Sequence, residues 1–156
     1  MLAPALAQLA RLQQLSLSLN AWGAQGLHEL VPALRLLKSL RELDLSGCGL
    51  GPEGAMQLVR VLRDLHDLRG LALASNQLGV AGGESLVHTL CHLSHLTRLD
   101  LENNQMGRAA MDLAWLVSNS VPELQELRLG GSHLDPADVK ALTALGHERH
   151  IILSAW

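Results

Sequence analysis

The stretch Arg41-Glu42-Leu43-Asp44-Leu45-Ser46-Gly47-Cys48-Gly49-Leu50-Gly51-Pro52-Glu53-Gly54-Ala55 decides the fold. With Leu40 before it, it spells L-x-x-L-x-L-x-x-N/C-x-L, running from Leu40 to Leu50. The same pattern begins at Leu12, Leu40, Leu68, Leu96 and Leu124, each 28 residues after the last. Its N/C position reads Asn20, Cys48, Asn76, Asn104 and Ser132. The apolar position after it reads Trp22, Leu50, Leu78, Met106 and Leu134. Five matches in phase make an internal repeat, which has to be recognised before any other reading of the fold.

The second half of the unit repeats too. Gly23, Gly51, Gly79 and Gly107 align, as do Leu30, Leu58, Leu86, Ala114 and Leu142. Ala55, Leu58, Leu62 and Leu65 have helical spacing. Pro52 and Pro136 suit a first helical turn, where a missing N–H costs nothing. Each unit therefore reads as a short strand, a tight turn, a helix and a return. The L-x-L leucines point to one side and their neighbours to the other, as a two-residue period requires. One unit cannot bury its leucine stripe, so units must stack. Strands pack more closely than helices, so the stack curves with the parallel sheet on its concave side. Asn at the sharp turn can bridge backbone groups of adjacent turns, since it carries both donors and an acceptor.

These residues resemble leucine-rich repeats of the ribonuclease-inhibitor type, and the unbroken 28-residue unit resembles the C-terminal arrays of NOD-like receptors. The resemblance implies an α/β leucine-rich repeat solenoid, a horseshoe arc with the sheet concave and helices convex. It implies one domain over residues 1–156. A partial-repeat helix (1–11) comes first, then five repeats, then a terminal strand (150–156). It further implies a non-catalytic protein-interaction module, the ligand-sensing or autoinhibitory region of an intracellular receptor. The alternatives are a small-GTPase regulator of the Ran-activator type and a structural scaffold. A receptor of that class needs a nucleotide-binding domain, so this chain is expected to be a segment of one.

Composition agrees with a leucine core: 48% apolar residues, no Phe, no Tyr and three Trp. A net charge of −3 provides no basic field for nucleic acid. No stretch reads as a membrane span. Two cysteines and no visible signal peptide point to cytoplasm or nucleus. There is no G-x-S-x-G, H-E-x-x-H or Ser/His/Asp arrangement, so no enzyme and no cofactor are expected. Gly79–Ser85 looks like a phosphate loop but lacks its lysine. His88, Cys91, His92 and His95 crowd one helix and its exit; the repeat frame puts them on solvated convex surface, not around a metal.

The outward strand positions define the candidate partner-binding face. It carries Glu42 and Asp44, then Ala72 and Ala74, then Arg98, Asp100 and Glu102, then Glu126 and Arg128. Five carboxylates and two arginines flank a small-residue patch at Gly70, Ala72 and Ala74. Trp22 is expected to pack in the core, and Trp115 to seal the side of the helix layer. Gly146 is expected to close the last helix, with the terminal strand about four residues early. Leu2, Leu6 and Leu9 have no preceding repeat to cover them, so self-association through the N-terminal end is expected. Trp156 is offered as a cover for the opposite edge.

Overall fold

A computed structural model describes residues 2–154. Strands β1 (Gln14–Ser16), β2 (Glu42–Asp44), β3 (Gly70–Ala72), β4 (Arg98–Asp100), β5 (Glu126–Arg128) and β6 (Ile152–Ser154) form one parallel sheet in sequence order. Helices α2 (Gly23–Leu34), α3 (Gly51–Leu62), α4 (Gly79–Leu90), α5 (Arg108–Ser120) and α6 (Pro136–Arg149) connect successive strands, after a short α1 (Ala3–Leu6). Leu15, Leu43, Leu71, Leu99 and Leu127 lie side by side, so the pairing register equals the repeat length. The molecule is an α/β solenoid arc, with strands on the concave side and helices on the convex side. Its core lies between them and is mostly leucine.

The strands are three residues long because the chain then turns through the left-handed region at alternate residues. In the second unit these are Gly47, Gly49 and Gly51, with φ of 66, 65 and 62°. The third and fourth units place Ser75 and Gln77, then Asn103 and Gln105, in the same conformation ahead of Gly79 and Gly107. An L-residue there costs about 1–2 kcal/mol, and glycine avoids that cost.

The turns are held by a buried ladder. Asn76 Oδ1 accepts from the N–H groups of Cys48 (3.0 Å) and Leu50 (3.3 Å). Its Nδ2 donates to the carbonyls of Leu45 (2.8 Å) and Leu73 (2.9 Å). Asn104 repeats the arrangement one unit on, accepting from Asn76 and Leu78 and donating to Leu73 and Leu101. Cys48 performs half of it: Sγ donates to Leu17 O at 3.3 Å. Among the described residues buried Ser132 Oγ finds no partner, so the ladder lapses there.

Several expectations need correction. Trp115 does not seal the helix layer and is 60% exposed. Helix α5 begins a residue later than its predecessors and turns Leu113, Ala114 and Val117 inward, which leaves Trp115 outside. Gly146 does not close α6. The helix runs on to Arg149, and left-handed His150 ends it. A Cβ on Gly146 would lie 3.1 Å from Leu153 Cβ, so this glycine lets α6 approach β6 closely. That strand arrives two residues early instead of four: Leu153 pairs with Leu127, 26 positions on, because the short return after α6 outweighs the longer helix. Ile151 and Leu153 do face the core, and Ile152 is exposed. Leu6 is covered by the chain's own residues, while Leu2 and Leu9 are exposed. Trp22 is half-buried, its Nε1 donating to Leu17 O at 3.2 Å. Trp156 lies outside the described residues.

Candidate functional site: the concave sheet face

Alternation along each strand sends Leu43, Leu71 and Leu99 into the core and their neighbours to the concave face. Three rows cross the middle of that face. Glu42, Gly70 and Arg98 form the first and Asp44, Ala72 and Asp100 the second, as the strand register dictates. Ser46, Ala74 and Glu102 form the third, just beyond the strand ends. The backbone ladder continues through them, with Gly47 N–H donating to Ala74 O and Ser75 N–H to Glu102 O, each at 2.8 Å. The small residues of β3 leave a hollow of about 670 Å³.

Arg98 Nη2 donates to Glu42 Oε1 at 2.8 Å, so an ion pair spans the central strand. It passes over Gly70 so closely that a Cβ there would collide with the Glu42 carboxylate. Arg128 is likewise engaged within the face, 2.6 Å from Glu126 and 4.0 Å from Asp100. Asp44 accepts from Ser46 N–H (2.9 Å) and Ser16 Oγ (3.1 Å). Burial works to raise its pKa, but hydrogen bonds from Ser46, Ser18 and Ser16 outweigh that and hold it below the ordinary value. Asp100 goes the other way. Burial, aided by repulsion from Glu102 and Glu126, lifts it above the ordinary value despite the Glu102 N–H bond. Glu102 accepts from Ser154 Oγ at 3.2 Å.

The structure thus brings Glu42, Asp44, Ala72, Ala74, Arg98, Asp100 and Glu102 onto one surface, with Glu126 and Arg128 at its side. The strand-spanning ion pair is not visible in the repeat pattern, because its partners are 56 positions apart and belong to non-adjacent units. Its one signal is the opposite charge of positions 42 and 98 in a shared frame. The face is an open sheet, and no described cluster of three or more His, Cys, Asp or Glu could hold a metal ion.

The convex histidines do not converge. His92 Nδ1 lies 2.6 Å from His88 O, and His95 Nδ1 lies 3.0 Å from Glu123 Oε1. Cys91 is half-buried, and burial raises its thiol pKa. His88 and His92 instead line a shallow groove with Arg63 and His66 of the preceding unit. Both cysteines are free thiols. No described helix is long and apolar enough to cross a membrane.

Fold and face define a leucine-rich repeat solenoid with an open, acidic concave sheet. Comparison with known proteins agrees on the class. Residues 37–59 and 92–110 match the leucine-rich repeat family. No curated protein matches the chain. Among solved structures, the chain is similar to the tropomodulin C-terminal domain of Caenorhabditis elegans. The TM-score is 0.71 at 16% identity, over 95% of this chain and 93% of that one. It is similar to the leiomodin-1 actin-binding site 2, with TM-score 0.68 at 16% identity, over 94% of this chain and 88% of that one. An internalin (inlF) of Listeria monocytogenes gives 0.52 at 18% identity, covering 100% of this chain and 51% of that one. At such identities the likeness speaks for the fold alone.

Proposed function

We propose that the protein is a non-catalytic interaction module that docks a protein partner on its concave face. The contact residues would be Glu42, Asp44, Ala72, Ala74, Arg98, Asp100, Glu102, Glu126 and Arg128. One observation carries the reading: the outward side chains of neighbouring strands form a continuous surface with a hollow over Gly70 and Ala72. An open hollow excludes too little water for chemistry but suits a partner's side chain. The solved leiomodin-1 domain of similar shape is described as an actin-binding site, which is in keeping with docking of proteins on this fold. We assign the module to the repeat region of an intracellular NOD-like receptor, on the unbroken 28-residue unit. A reducing compartment suits Cys48, whose thiol hydrogen is used in the turn ladder.

A photo-cross-linking residue at Ala72, compared with one at exposed convex Met56, tests the reading in cells. A partner captured from position 72 and not from 56 is the expected result. Capture from 56 alone would move the docking surface to the helices.

A further inference from the structure

The concave face holds five carboxylates and two arginines. That leaves ten carboxylates and ten Lys or Arg elsewhere, so the formal charge of −3 resides on this one surface. Both arginines are already engaged within the face. Arg98 is taken by Glu42, and Arg128 by Glu126 with Asp100 beyond. Among the described residues the other two carboxylates accept hydrogen bonds from neutral donors only: Asp44 from Ser16 and Ser46, Glu102 from Ser154.

Space coincides with this charge. Asp44 and Asp100 stand opposite Ala72 in the register, on either side of it. Two strand spacings separate them, about 10 Å. Ala72 lies between them, and the Glu42–Arg98 pair bridges the adjoining row over Gly70. We infer that the partner presents a basic segment, one of whose arginine or lysine side chains enters over Ala72 and lies between Asp44 and Asp100. This rests on the concave docking reading above. A guanidinium suits the place best, because its planar fork offers donors along two edges. Burial already disfavours the charge on Asp100, and a cation alongside would offset that. An acidic partner, or nucleic acid, would meet the same charges as repulsion.

The test uses a short fluorescein-labelled peptide alternating arginine and serine, and its glutamate–serine counterpart, read by fluorescence anisotropy. The arginine peptide should bind and the glutamate peptide should not. Asp44→Asn with Asp100→Asn should weaken binding by about tenfold or more, as loss of paired charges at a partly desolvated site does. Ala72→Arg, which fills the hollow with the chain's own cation, should abolish it. The convex pair Glu53→Gln with Asp112→Asn removes the same charge from solvated positions and should stay within about twofold. No binding of the arginine peptide, or equal loss in the concave and convex pairs, overturns the inference. Failure of the docking reading looks different: cross-linking at Met56 and not at Ala72. A partner cross-linked at Ala72 through a segment without Lys or Arg would keep the docking surface and remove the basic segment.

Discussion

Replacing Asn76 with leucine should damage this protein far more than the same change at Asn103. Asn76 is fully buried, and its Oδ1 is the partner of both Cys48 N–H and Leu50 N–H. Leucine has a similar volume and leaves both donors without a partner. At about 1–3 kcal/mol for each stranded buried group, the loss is about 2–6 kcal/mol. That is a large share of the roughly 5–15 kcal/mol that stabilises an ordinary domain. Asn103 is exposed, and its φ of 57° nearly equals the 58° of Leu19 in the first unit. Leucine is therefore already tolerated at this place in the repeat, and the change should cost on the order of 1 kcal/mol. Urea unfolding decides the matter. With a slope of about 1–3 kcal/mol/M, the two midpoints should differ by on the order of 1 M. Equal shifts would show that the buried asparagine ladder does not hold the turns.

Ser132→Asn should raise the urea midpoint, because it restores the ladder residue where Ser132 Oγ now finds no partner among the described residues; each new bond adds about 0.5–1.5 kcal/mol, and an unchanged midpoint would count against the lapse. Asp64 hydrogen-bonds Lys38 and Arg35, which hold its pKa at about 2, below 3.8. Its contribution is therefore present above 3.8 and is lost as pH falls towards 2. Asp64→Asn should flatten that acid limb with little effect at neutral pH, since the pair is solvated; an identical limb in the variant would refute this. Among the described residues no strand pairs with the outer edge of β1, and Leu2 and Leu9 are exposed, so self-association at the N-terminal end is expected. Leu9→Lys should weaken it in a sedimentation concentration series, and a wild type that stays monomeric throughout would remove the expectation.

The repeating leucines made the strand register, the helix positions and the face of each side chain legible, because burial imposes the same period on every unit. What escaped depends on departures from that period. Trp115 sits in a frame of valines, yet α5 starts a residue late and turns Leu113, Ala114 and Val117 inward, leaving Trp115 exposed. The last strand comes two residues early because only two residues separate α6 from β6, where seven separate α3 from β3, and this outweighs the greater length of α6. Within the site, each carboxylate could be placed on the concave face from its parity alone. Which arginine neutralises which carboxylate could not, because Arg98 bypasses its neighbours on β3 to reach Glu42, across a glycine that leaves the way open.

Excision of residues 68–95 is the most direct test of the central claim that interchangeable 28-residue units stack in register and build the face. It removes one complete unit and brings Asn104 to the place of Asn76, with Cys48 and Leu50 N–H as its partners. The shortened chain should unfold in urea in one cooperative transition with a lower midpoint and a slope roughly a fifth smaller, in proportion to the surface removed. Excision of residues 68–93, two residues short of the unit, should abolish that transition. Cooperative folding of both chains, or of neither, would contradict the account.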